Sequence, residues 1–213
     1  MNQILAYIGY FILLVNFILF VRNYSNQSKA YKVFTFYLGL IVGIQIFSEI
    51  LIQQKTNNLF LSHFYFVGQF ILLSFFYFSL LGKVQVQRKI IKGGLVLGML
   101  ILAVQYYSDP SLFFKFNLVE IFITSFVLII FSTFHFYNLL NEKKEFYYIN
   151  IGILMYLFGS TVLFFVGNLM ASLSPVINKI PWIMNSVLYI IYQIFISIEW
   201  YKSYSNKATQ KEK

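Results

Sequence analysis

The chain has 213 residues, 59% of them hydrophobic and only 11% charged, with a net charge of +9 and no cysteine. Soluble domains carry about 25% charged residues, so this composition excludes a water-soluble globular domain and indicates an integral membrane protein. The absence of cysteine excludes disulfides and thiolate metal sites.

Seven apolar runs of 18 to 25 residues lie at about 4–21, 33–53, 60–82, 90–107, 116–138, 147–171 and 181–201. A helix needs about 20 residues to cross ~30 Å of hydrocarbon. A transmembrane barrel would instead show alternating segments of about 10 residues. The expected fold is therefore all-α: a polytopic membrane protein with one seven-helix domain over residues 1–201. A short basic tail, 202–213, follows it.

The first run lacks a basic flank before it and a small-residue cleavage site after it, so it reads as a retained helix. The second carries Gln45, Ser48, Glu49 and Gln53 at a spacing that places them on one helix face. In the third, Tyr65 and Gln69 share a face, with His63 beside it. The fourth holds a GxxxG, Gly94 to Gly98, with Gln105 on the same face. Glycines at that spacing let helices approach closely, and packing inside the bundle is the expected use. Tyr106 and Tyr107 fall where aromatic side chains anchor a helix at the membrane interface.

The fifth run carries Asn117, Glu120 and Thr124 on one face, which continues through Leu128 and Phe131 to His135. The sixth is small on one flank (Gly152, Gly159, Ser160, Gly167, Ala171) and has Thr161 and Asn168 on one side. The seventh shows a stripe of Asn185, Tyr189, Tyr192, Gln193 and Glu199. Trp182 opens that helix and Trp200 closes it, with Glu199 beside Trp200 and Lys202 as an interfacial anchor. The prolines are Pro110, Pro175 and Pro181, all in loops or at a first helical turn, so the helices should be continuous. Transporters with helices broken at the midplane look different.

The basic residues give an orientation. Thirteen lie on one side: Arg22, Lys29, Lys32, Lys83, Arg88, Lys89, Lys92, Lys143, Lys144, Lys202, Lys207, Lys211 and Lys213. Only Lys55, Lys115 and Lys179 lie on the other. The positive-inside rule then puts the N-terminus outside and the C-terminus in the cytoplasm of a cell inner membrane. The net charge is thereby explained by the bilayer and its anionic lipids, and no nucleic-acid partner is expected.

In that frame Glu49, His63, Gln105, Glu120, Asn168 and Asn185 each lie within about five residues of an outer helix end, or roughly 8 Å. With Gln45 and Gln69 they form the candidate ligand-binding set, lining an outward-facing polar pocket. Two readings of such residues compete. Asn and Gln serve membrane helices as packing glue at about 0.6 kcal/mol per contact. A carboxylate costs about 1–3 kcal/mol at this depth unless paired, protonated or hydrated. Glu49 and Glu120 would supply negative charge, and an imidazole offers a group that titrates near neutrality.

Several families are excluded by their own residues. A retinal Schiff base needs a lysine in the last helix, and 181–201 has none. Seven-helix zinc hydrolases use several His, whereas His63 and His135 fall about a membrane apart. Seven-helix sugar transporters carry prolines within helices, and membrane lysoplasmalogenases use intramembrane Asp, whereas Asp109 lies in an outer loop. There is no Gly-rich phosphate loop, HExxH or GxSxG. In hydropathy and loop charge the whole chain resembles small bacterial seven-helix integral membrane proteins. Some of these act as sensor modules for signalling kinases.

That resemblance implies a sensor or receptor-like module taking a small polar or cationic ligand, or protons. It would signal through a separate protein at the cytoplasmic face, since the tail is short. The alternatives are a small transporter or proton- or cation-coupled carrier, an intramembrane lipid-modifying enzyme with a Glu–His acid–base pair, and a structural scaffold subunit. No cofactor, metal or catalytic residue is expected.

Overall fold

The computed structural model describes residues 2–81, 84–141, 144–171 and 179–209. Gly82, Lys83, Lys143, Pro175, Lys211 and Lys213 lie outside them, as do the side chains of Ala171 and Lys207. The described chain is all-helical, with no strand. It forms α1 (Asn2–Arg22), α2 (Lys29–Gln53), α3 (Phe60–Leu80), α4 (Gln85–Ser108), α5 (Leu118–Asn138), α6 (Tyr147–Ala171) and α7 (Lys179–Thr209). A short 3-10 helix, Pro110–Phe114, lies between α4 and α5. All seven α-helices are long and apolar enough to cross a membrane.

Several helices overrun their apolar cores. α2 begins at Lys29 rather than 33, α4 at Gln85 rather than 90, and α7 reaches Thr209 rather than 201. The backbone ladder continues through polar turns because their side chains find solvent there, and hydropathy sees only the apolar middle. Local caps set some of these ends. Ser28 Oγ accepts the Tyr31 amide before α2, and Asn117 Oδ1 accepts the Glu120 amide before α5. Asn followed three residues later by Glu is an N-terminal signature. Asp109 opens the 3-10 helix, accepting the Ser111 amide at 3.1 Å and hydroxyl at 2.6 Å, with Pro110 at its first position. Donation from Ser111 holds the Asp109 carboxyl below the usual carboxylate range.

Contacts group the chain into two compact units, Met1–Gln27 with Phe136–Lys213, and Ser28–His135. In the first, α7 packs against both α6 and α1. A polar lock joins α1 to α7. Asn16 Nδ2 donates to the Gln193 carbonyl at 2.9 Å and side-chain oxygen at 3.0 Å, and Ser197 Oγ donates to Asn16 Oδ1 at 2.7 Å. One end of this helix pair is tied by Trp200 Nε1, which donates to the Leu19 carbonyl. Glu199, expected as an interfacial anchor, is enclosed by protein. It is only 1% exposed, and its carboxylate accepts the Tyr148 amide at 2.8 Å and the Ser203 hydroxyl at 2.7 Å. An α7 side chain thus caps the start of α6, where unpaired amides and the positive end of the helix dipole favour an anion. The chain enters α6 through Phe146, which is buried and holds a left-handed φ of 54°.

In the second unit α3 packs against α2 and α4. Phe34 of α2 meets Phe76 of α3 with ring centroids 5.3 Å apart. Two of the three glycines of α4, Gly94 and Gly98, receive aromatic rings from its neighbours. A Cβ at Gly98 would lie 2.8 Å from Phe70 of α3, and one at Gly94 would lie 3.0 Å from Phe131 of α5. Gly98→Leu should therefore cost about 1–3 kcal/mol through overpacking. The fully buried Phe70 ring has nowhere to move. Reversible detergent unfolding of the purified protein measures it, and an unchanged midpoint would show that α4 does not pack here.

Candidate functional site

Three helix ends converge at one end of the second unit. His63 lies in the first turn of α3, Tyr106 in the last turn of α4 and Glu120 in the first turn of α5. Their polar atoms form a triangle. His63 Nδ1 is 2.7 Å from Glu120 Oε2 and 2.7 Å from the Tyr106 hydroxyl oxygen. The Tyr106 hydroxyl also donates to Glu120 Oε2. His63 is 4% exposed and Glu120 fully enclosed.

Asn117 braces the triangle from behind. Its amide exchanges two hydrogen bonds of 3.2 Å with the Gln105 amide. It also donates to the Tyr106 hydroxyl at 3.3 Å while capping α5 at the Glu120 amide. One side chain therefore positions the phenol and the helix end that presents the carboxyl. The 3-10 helix adds Phe113, whose ring stacks on the His63 imidazole with centroids 5.3 Å apart. Tyr106 meets the same imidazole edge-on at 5.5 Å.

Two polar atoms of the triangle are left over. His63 Nε2 and Glu120 Oε1 are enclosed and have no hydrogen-bond partner among the described residues. Enclosed polar atoms are nearly always paired, and those that are not call for an explanation. His63, but not Glu120, lines a groove of about 540 Å³, within the size range of small-molecule sites. His63 and Tyr106 form its polar end. Phe64, Val67, Gly68 and Ile71 continue it along α3, with Leu40 and Phe113 among its walls. A Cβ on Gly68 would collide with Leu40, so glycine permits that close approach of α3 to α2.

Of the eight residues expected to bind ligand, the triangle and its brace bring together His63, Gln105 and Glu120. Gln45 and Glu49 are half-buried on α2. Gln69 is buried further along α3, its Oε1 without a partner among the described residues. Asn168 and Asn185 belong to the other unit. Asn168 is exposed, and Asn185 is half-buried with Oδ1 enclosed and unpaired among the described residues. Among the described residues no group of three or more His, Asp or Glu is placed to hold a metal ion.

Sequence reasoning missed Tyr106, which looked like an interfacial aromatic. It placed Asn117 on the Glu120 face without seeing its bracing role. The available signal was the capping spacing from Asn117 to Glu120. The comparisons with known proteins, made against family models, curated proteins and solved structures, find no match for this chain.

Proposed function

We propose that this is a multi-pass membrane protein of sensor or receptor type, with its N-terminus outside and its C-terminus in the cytoplasm. Its ligand site is the His63–Tyr106–Glu120 triangle with the adjoining groove. The observation that carries this reading is His63, which lines a groove of ligand size and whose enclosed Nε2 has no partner among the described residues, with Glu120 Oε1 likewise unpartnered there. Packing glue would be expected to satisfy its own hydrogen bonds. The orientation rests on thirteen basic residues on one side, those of the C-terminal tail included, against three on the other. A bound ligand would alter how α3, α4 and α5 meet. A separate protein at the basic cytoplasmic face would receive the signal.

A second reading has a specific observation behind it. An imidazole oriented through Nδ1 by a carboxyl, with Nε2 unpaired among the described residues, is the arrangement of a general base. A lipid-modifying enzyme would use His63 in that way.

The chain has no cysteine of its own, so single cysteines report cleanly. Thr56→Cys and Phe114→Cys should react with an impermeant thiol reagent on intact cells. Lys89→Cys and Lys144→Cys should react only after permeabilisation. The reverse pattern would place the site in the inner leaflet and overturn the reading. Lipids that bind purified protein should be recovered chemically unchanged. A modified product that disappears in His63→Ala would decide for the enzyme.

A further inference from the structure

We infer that the groove takes a single-chain amphiphile with a hydrogen-bond-accepting head, a fatty acid, its carboxylate at His63 and its chain along α3 toward Ile71. This rests on the ligand-site reading above and names the ligand class.

The head follows from counting protons in the triangle. With an imidazolium facing a carboxylate, both ring nitrogens carry hydrogen. With a neutral ring facing a carboxyl protonated on Oε2, the carboxyl donates to Nδ1, so the ring hydrogen sits on Nε2. A neutral ring whose Nδ1–H faces a carboxylate leaves Nε2 bare and encloses a net negative charge; one facing a carboxyl protonated on Oε1 also leaves Nε2 bare, and moves the unmatched hydrogen to Oε1. Enclosing an uncompensated charge is the costly choice. Every net-neutral state therefore leaves one donor, Nε2–H or Oε1–H, with no acceptor among the described residues, and of the two residues only His63 lines the groove, so the donor open to a ligand there is Nε2–H. Its complement is an acceptor, and a carboxylate makes the strongest such bond. An alkylammonium head offers only donors.

The chain follows from the walls. The groove's polar lining is His63 and Tyr106, at one end. From His63 to Ile71 the remaining wall is apolar, and eight residues at ~1.5 Å make about 12 Å. A polar group at a helix end and an apolar channel running inward along the same helix match an amphiphile with its head at the membrane interface. One donor and one channel suit one head and one chain.

The test uses wild-type protein in lipid nanodiscs and radiolabelled dodecanoate as probe. Saturable binding near one per protein, above that of empty discs, is expected. Unlabelled dodecanoate should displace it, whereas dodecylamine, with the same chain and a donor head, should need at least tenfold more. Filling the groove with Val67→Trp or, independently, Ile71→Trp should weaken binding at least tenfold. Equal displacement by dodecylamine would overturn the head assignment. Binding no greater than to empty discs would overturn the proposal, as when bilayer phospholipid or nothing fills the groove. That failure is separate from failure of the ligand-site reading, which the cysteine pattern and the chemical state of recovered lipids judge.

Discussion

Replacing His63 by leucine is expected to lower the unfolding free energy by about 3 kcal/mol, and replacing Glu120 by leucine by a similar amount. Either change strands a polar group that the fold encloses completely: a carboxyl left with Tyr106, or an imidazole left with Tyr106. The double variant His63→Leu, Glu120→Leu should return to within about 1 kcal/mol of wild type, because two apolar side chains of similar size suit enclosed surroundings. The stability cycle in reversible mixed-micelle unfolding then reports a coupling larger than about 1.5 kcal/mol. If the double variant loses the plain sum of the two single losses, the two groups are not paired and the triangle does not exist. The cycle carries a functional message too. A pair whose removal costs the fold little is retained for what it does to something else.

Glu199→Ala should be the most damaging single change in the other unit, at about 2–3 kcal/mol. Losing a helix cap costs about 1 kcal/mol on average, and charged hydrogen bonds are roughly twice as strong as neutral ones. The start of α6 would lose the acceptor for the Tyr148 amide, and Ser203 its partner. Glu199→Gln keeps an acceptor and should lose about half as much, since amide oxygens still cap. The effect should be local. Hydrogen exchange at residues 147–150 should accelerate, while α3 and α4 stay protected. Uniform acceleration across the chain would mean that Glu199 acts by some route other than the α6 terminus.

These expectations mark how far the sequence could be read. The seven helices were legible because a bilayer imposes their length and forbids unpaired backbone inside it. Gly94 and Gly98 were legible as close-packing positions because their neighbours must fill the missing side chain. Glu120 stood out because a carboxylate at that depth demands a reason. What could not be read was which helix ends meet. His63, Tyr106 and Glu120 are brought together by tertiary packing, across 43 and 14 residues of chain from Tyr106. Hydrophobic periodicity says nothing about such pairings. Tyr106 was hidden by its type, since tyrosine near a helix end is the ordinary membrane anchor. Asn16 was hidden by its surroundings, one amide in an apolar run, though it ties α1 to α7. The 3-10 helix had a signature, Asp109 followed by Pro110, but in a short loop between apolar runs that pair reads equally as a turn.

The length of α7 has a mechanical consequence. Its 31 residues make a rod, which at ~1.5 Å per residue is roughly 46 Å long. The hydrocarbon slab is only ~30 Å thick. Hiding the whole rod would take a tilt of about 50°, beyond the 0–40° range of membrane helices. At least one end must stand in water, and the C-terminal turns, YKSYSNKAT, are the polar ones. No glycine or proline interrupts the helix after Pro181, so it has no built-in swivel. An unbroken helix of this length would pass a twist applied at one end to the other as twist, in the manner of a drive shaft rather than a tether.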